Sequence, residues 1–322
     1  MTSPLHAAYY ADHALQQTVE IVENVRLARD TYRLRFSAPE IARRIVPGQF
    51  LMLRLAGIND PLIGRPLALY DTVLSASGRP ECIDVVYLVK GKLTSRLLQM
   101  PPGQQLDVWG PLGNGFQDSI AGSKPAPGEQ PNRTPSVLPP LRDQVSSRLI
   151  EPAPHLIMVA GGIGQTPFLA LAQEALGQKT FGDPPRAALR AAHITFCYGA
   201  RTADYFAGVE DFERLGIDVR LATDDGSRGH HGLVTDLLKA VLAENRGRPR
   251  IVCCGPEAMM EAVAHIAHQA CVPCQVSLET PMACGVGICF TCVAKIRQEK
   301  GGWDYKRTCV DGPVFDAEAM EW

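Results

Sequence analysis

Short runs of alternating apolar and polar residues dominate the chain between residues 18 and 109. Thr31-Tyr-Arg-Leu-Arg-Phe36 is the clearest of them, and Phe50–Leu55, Cys82–Val89 and Leu106–Trp109 follow. Alternation of this kind predicts half-buried β-strands. Pro47-Gly48, Ser77-Gly78 and Pro102-Gly103 separate the runs with turn signals. Short strands divided by turns predict a small barrel or sandwich, interrupted by a helix over Leu93 to Leu98. From residue 155 the pattern changes. His155–Ala160, Ala192–Tyr198, Asp218–Ala222 and Pro249–Cys254 are apolar strand runs. Helical segments at Thr166–Leu176, Leu233–Ala243 and Pro256 to about Ala270 alternate with them. That order predicts a doubly wound α/β domain on a parallel sheet. Between the two patterns, residues 117–154 hold 8 of the 25 prolines and no aromatic residue, the composition of a solvated insertion or linker.

Composition narrows the function. Lys+Arg 32 against Asp+Glu 34 leaves a net charge of −2. A basic nucleic-acid footprint and polybasic membrane attachment are therefore not expected. No run has the length of a membrane span, and Met1–His6 does not read as a signal peptide. Of the 10 cysteines, most fall after residue 252, at short spacings. In a reducing cytoplasm that clustering suggests metal ligation over a disulfide framework. Residues 271–322 would form a third unit, too small for a large apolar core and so suited to a metal staple.

The sharpest motif is Cys284-Gly-Val-Gly-Ile-Cys289-Phe-Thr-Cys292, with Cys309 further on. Its C-x4-C-x2-C…C spacing is that of plant-type [2Fe–2S] sites. Four thiolates must converge, and Gly285 and Gly287 allow the loop to wrap tightly. A rival set, Cys271-x2-Cys274 with Cys289-x2-Cys292, would spell a zinc ribbon. It leaves Cys284 and Cys309 without a role and does not explain the glycines.

Two further motifs point to nucleotides. Arg65-Pro66-Leu67-Ala68-Leu69 fixes an arginine by a proline on a strand, where it can hold a pyrophosphate while adjacent backbone lines a flavin ring. Gly161-Gly162-Ile-Gly164-Gln-Thr166-Pro follows a strand and opens a helix. It reads equally as a phosphate-binding turn or as a tight strand-to-helix turn, and it is not the G-x-G-x-x-G fingerprint. Cys254-Gly255-Pro256 ends a later strand of the same sheet and could converge on the same crevice. His230-His231 sits in a glycine-bounded loop, and no Ser-His-Asp set or other catalytic residue can be argued.

Taken in order, these motifs, with Gly110-Pro-Leu-Gly-Asn-Gly-Phe116, Val276-Ser-Leu-Glu279 and Cys309-x-Asp-Gly-Pro-Val-Phe315, resemble a known family. They are similar to the electron-transfer subunits of NAD-linked (class 1B) dihydroorotate dehydrogenase, within the ferredoxin–NADP reductase-like flavoproteins. The resemblance covers about residues 18–116 and 155–316. It implies an FAD-binding β-barrel over 1–116, an NAD-binding α/β domain over 155–270 and a small [2Fe–2S] unit over 271–322. The family's flavin contacts fall on Arg65, Pro66, Leu67 and Ala68, on Val86, Tyr87 and Leu88, and on Leu93 and Thr94. Its cluster ligands fall on Cys284, Cys289, Cys292 and Cys309. The chain departs from the family at Ala68, Leu88 and Leu93, where Ser, Arg and Gly are usual. The resemblance implies FAD, a [2Fe–2S] cluster and NAD(H) as cofactors. It further implies a catalytic FMN-containing subunit as partner, a cytoplasmic heterotetramer and a role in pyrimidine biosynthesis. Related small subunits, of NADH-dependent ferredoxin–NADP oxidoreductase or sulfide dehydrogenase, share the layout. A non-redox zinc-ribbon module is the alternative from a different class.

Overall fold

The computed structural model describes residues 11–117, 154–186, 190–298 and 301–322. The proline-rich stretch read as an insertion or linker falls almost wholly outside the described residues.

The first half closes into a barrel. Its strands are β1 (Leu15–Ala28), β2 (Thr31–Ser37), β3 (Phe50–Leu55), β4 (Arg65–Leu74), β5 (Pro80–Leu88) and β6 (Gln105–Leu112). Two short helices, α1 (Pro39–Ala42) and α2 (Lys92–Leu97), join them. Around the barrel the order is β1-β2-β5-β4-β3-β6. β1 makes closure possible: it pairs with β6 over Leu15–Glu20, passes an irregularity after Ile21, and pairs with β2 up to Ala28. Inward positions such as Val19, Ile21, Leu34, Phe36, Val85 and Val108 fill the interior. No strand inside a closed barrel has a free edge.

The second half is a seven-stranded sheet. It begins with β7 (Pro154–Gly161), α3 (Phe168–Ala175), β8 (His193–Ala200), α4 (Val209–Glu213), β9 (Asp218–Thr223) and β10 (His230–His231). It continues with α5 (Val234–Ala243), β11 (Arg248–Cys254), α6 (Glu257–Gln269) and β12 (Cys274–Ser277). A separate two-stranded hairpin, β13 (Val293–Arg297) and β14 (Trp303–Arg307), precedes the sheet's last strand, β15 (Val314–Asp316). The sheet order is β10-β9-β8-β7-β11-β12-β15, with only β15 antiparallel to its neighbour. β7 shows why its sequence is an unbroken apolar run: Leu156, Met158 and Ala160 pack on one face, Ile157 and Val159 on the other.

Two features differ from the sequence reading. His230 and His231 form a two-residue edge strand on β9, not a plain loop. The sheet also runs across residue 270: β12 pairs with β11, and β15 pairs with β12 through Gln275↔Asp316, Val276↔Phe315 and Ser277↔Val314. The cysteine segment is thus looped out of the sheet that carries the glycine-rich turn.

Barrel and sheet are tied together. The Tyr70 hydroxyl donates to Asp211 Oδ2 at 2.6 Å, and Arg186 Nη1 donates to the Phe116 carbonyl at 2.6 Å. No described helix is long and apolar enough to cross a membrane.

Candidate functional site

The cysteine loop lies between β12 and β13 and packs on the barrel. Met52, Leu112, Met282, Cys292, Cys309 and Val310 share one buried cluster. Trp109 of β6 donates its indole N–H to the Cys284 carbonyl at 2.9 Å. Gly285 and Gly287 have φ of +73° and +83°. A Cβ at Gly285 would stand 2.5 Å from Met52 Cγ, and one at Gly287 2.6 Å from Val310 Cγ2. Both the backbone conformation and the space therefore require glycine.

The four cysteines arrive as two pairs. Cys284 Sγ and Cys289 Sγ are 3.3 Å apart, and Cys292 shares a hydrogen bond with Cys309. Among the described residues, no three His, Cys, Asp or Glu side chains gather as a single-ion site. A two-iron cluster needs two thiolates on each iron. Hydrogen bonds already favour the thiolate at Cys289 and Cys292. Thr291 Oγ1 donates to Cys289 Sγ at 2.8 Å, which with smaller contributions lowers that thiol to about 6. Cys309, as donor, lowers Cys292 to about 6, and its own thiol is raised in return. The Val286 N–H points at Cys284 Sγ, 3.4 Å away. Arg307 Nη1 clamps the loop by donating to the Gly287 carbonyl at 2.9 Å. The residues present fit a [2Fe–2S] cluster. The zinc-ribbon set is not assembled: Cys274 is buried in the sheet core beside Cys253 and Val276, and burial raises its thiol, while Cys271 is exposed.

The second site is a crevice of about 1100 Å³ outside the carboxyl ends of the strands. It opens where the sheet order reverses, between β7 and β11, as expected for ligand sites in such sheets. Gly161, Gly162, Gly255 and Pro256 line it, and so does Leu88 of the barrel. Gly164 does not line it. A Cβ there would collide with the Cys254 carbonyl, so this glycine lets the turn settle on β11. Thr166 and Cys254 are buried beneath the turn, 4% and 2% exposed.

The residues expected to contact flavin divide by strand parity. Arg65 is exposed at the start of β4 and donates to the Gly64 carbonyl at 3.0 Å. Pro66, Leu67 and Ala68 are half-buried along the same strand. Val86 is buried against the sheet domain. Tyr87 points into the barrel, where its hydroxyl donates to Asn24 Oδ1 at 3.0 Å. Leu93 is fully buried in the barrel core. The Thr94 hydroxyl accepts the N–H groups of Lys90 and Gly91 at 3.0 and 3.1 Å, closing the start of α2. The side chains of Tyr87, Leu93 and Thr94 are therefore engaged within the barrel and at the start of α2.

Against known proteins, three family models match. They are the oxidoreductase FAD-binding domain over residues 18–116, the oxidoreductase NAD-binding domain over 158–265 and the iron-sulfur cluster binding domain of dihydroorotate dehydrogenase B over 279–321. The dihydroorotate dehydrogenase B (NAD(+)) electron transfer subunit of Desulforamulus reducens is 33% identical over 297 residues, 92% of this chain and 94% of the relative. That of Caldanaerobacter subterraneus is 33% identical over 93% of this chain and 96% of its own. The chain belongs to the family of dihydroorotate dehydrogenase B electron transfer subunits. Among solved structures it is similar to one described as an NADH-dependent reduced ferredoxin-NADP oxidoreductase. That match has TM-score 0.69 and 28% identity over 94% of this chain and 90% of the other.

For a member of this family, the crevice holds more than the motifs indicated. Thr31 and Lys90 come from the barrel, Tyr205 and Asp224 follow β8 and β9, and Glu279 follows β12. Positions just after strand ends were the available signal. Glu279 is exposed to the crevice, and desolvation raises its carboxyl while Lys90 opposes. Its Oε1 is 4.0 Å from Cys254 Sγ.

Proposed function

We propose that this chain carries electrons between NAD(H) and the FMN of a separate catalytic dihydroorotate dehydrogenase subunit, within a cytoplasmic heterotetramer of pyrimidine biosynthesis. The observation that carries the reading is the seating of the cysteine loop. It rests on β3 and β6 of the barrel through Met52, Trp109 and Leu112, and its tip faces outward. Ile288 and Phe290, flanking Cys289, are 71% and 63% exposed. Exposed apolar side chains around a redox loop suit a partner surface.

In this reading Arg65, Pro66, Leu67, Ala68 and Leu88, with backbone of Val86, Tyr87, Leu93 and Thr94, hold FAD. Cys284, Cys289, Cys292 and Cys309 hold the cluster. Gly161, Gly162, Gly255 and Pro256 admit NAD(H) to the crevice, and Gly164, Thr166 and Cys254 shape the turn beneath it. When bound, the flavin supplies the junction between two-electron and one-electron chemistry. The chain's own part is positional. Trp109 and Arg307 fix the cysteine loop at two carbonyls, Cys284 and Gly287. Thr308, through its N–H and hydroxyl at 2.7 and 3.0 Å, fixes the Cys292 carbonyl.

Reconstitution tests this. The purified chain should oxidise NADH with artificial acceptors, and should support dihydroorotate-dependent NAD reduction only with an FMN-containing catalytic subunit. Dihydroorotate-dependent NAD reduction by the chain alone would sink the reading. The likeness to the NADH-dependent ferredoxin-NADP oxidoreductase structure favours a second reading, a small subunit of that type. Activity with such a partner, and none with the dihydroorotate subunit, would select it.

A further inference from the structure

The cluster unit sends a hairpin back over the nucleotide crevice. β13 and β14 set Lys295 opposite Tyr305, with Trp303 two residues away on the same face. The two aromatic rings meet edge to face with centroids 5.1 Å apart, and Lys295 Nζ lies 4.9 Å from the Trp303 centroid. The group is preassembled but not buried: Tyr305 is 53% and Trp303 45% exposed. Lys295 and Tyr305 line the crevice together with Pro256 and Glu257 at the start of α6. An aromatic pair and an ammonium held open to a crevice wall serve no core. Their chemistry suits a planar ring beside an anion.

The hairpin's place selects which part of a dinucleotide it meets. Arg201, Tyr205 and Asp224 lie past β8 and β9, toward one edge of the sheet. The hairpin lies toward the other. Ile296 bridges to Met320 and packs with Met260 and Val263 of α6, beside β12. A dinucleotide laid across the switch point with its adenosine past β8 and β9 brings its other half to the hairpin.

We propose that Lys295 and Tyr305 form the third wall of the NAD(H) site and contact its nicotinamide nucleotide half, Tyr305 through its ring and Lys295 through the adjacent phosphate. The cluster-bearing segment thereby takes part in nucleotide recognition. This rests on reading the crevice as the NAD(H) site.

The test is equilibrium titration of the oxidised chain, carrying its flavin and cluster, with NAD+, nicotinamide mononucleotide and ADP-ribose. Calorimetry reads binding without turnover. Tyr305→Ala should weaken NAD+ and nicotinamide mononucleotide alike, by roughly threefold to tenfold, and leave ADP-ribose unchanged. Tyr305→Phe should restore affinity. Lys295→Gln should weaken NAD+, nicotinamide mononucleotide and ADP-ribose alike, since all three carry that phosphate, and flatten their salt dependence. Unchanged NAD+ affinity in both Tyr305→Ala and Lys295→Gln would overturn the proposal, as would a loss confined to ADP-ribose. If Tyr305→Ala fails to retain flavin and cluster absorbance, Lys295→Gln decides alone. A wild-type chain that binds no NAD+ would instead remove the reading of the crevice on which the proposal stands.

Discussion

The cysteine loop and the nucleotide crevice are both built from glycines and strand ends, yet they encode their chemistry differently. The loop's four candidate ligands are side chains, and three of them fall within nine residues, from Cys284 to Cys292. The crevice is assembled from residues as far apart as Thr31 and Tyr305, and several of its contributions are backbone alone. A ligand set written in side chains at fixed spacing survives as a sequence motif. A surface made by converging strand ends does not, because its members are set by sheet order.

This contrast can be broken by substitution. The largest effect belongs to the loop. Cys289→Ser should lose most iron and sulfide while retaining flavin, and Cys271→Ser should keep both; metal analysis with visible spectra reads the outcome. Zinc in place of iron, lost from Cys271→Ser as well as from Cys289→Ser, would restore the zinc-ribbon set.

On the barrel side, Arg65→Ala should weaken FAD by roughly tenfold to a hundredfold, the loss of a charge-assisted phosphate contact of ~1.5–3 kcal/mol. Flavin content after dilution and gel filtration measures it. Retention equal to wild type would mean that Arg65, already bonded to the Gly64 carbonyl, has no role at the pyrophosphate.

A smaller change joins the two regions. Trp109→Phe removes the indole donor to the Cys284 carbonyl together with part of the ring that packs beneath the loop. The expected cost is about 1 kcal/mol of stability, with faster loss of iron under chelator than from wild type. Equal rates would show that packing alone seats the loop.

The smallest effect is a pH dependence. Desolvation holds the Glu279 carboxyl above its ordinary value. An acid raised in this way contributes stability below its unfolded value, and that contribution is lost as pH rises through the folded value. Relative to Glu279→Gln, the wild-type chain should therefore lose melting temperature from acid toward neutral pH. A constant difference across that range would show that Lys90 and solvent offset the desolvation.

Legibility followed the same division. The strands of barrel and sheet could be read because their faces impose alternation or unbroken apolar runs, as β2 and β7 illustrate. Inward-pointing Tyr87 was legible too: it alternates with Val86 and Leu88 along β5, and parity alone places it on the opposite face. Leu93 could not be placed by parity, since a helix as short as Lys92–Leu97 shows no sustained period. The two-residue strand at His230 is shorter than any periodicity. β15 was illegible for another reason: its partner β12 lies 37 or more residues earlier, with the cysteine loop and hairpin between them. Pairing at that range leaves no local trace.

That last pairing has a consequence for modularity. The segment from Leu278 to Pro313 leaves the sheet and returns to it, fastened at both feet by β12 and β15. It is not a cassette appended to a finished reductase. A gene cut at residue 270 would strip β12 from β11 and lay open the edge that buries Ile251 and Cys253, an aggregation-prone border. Recombination that swaps redox tails among such proteins must therefore carry the last two strands with the cysteines, or leave a torn sheet behind.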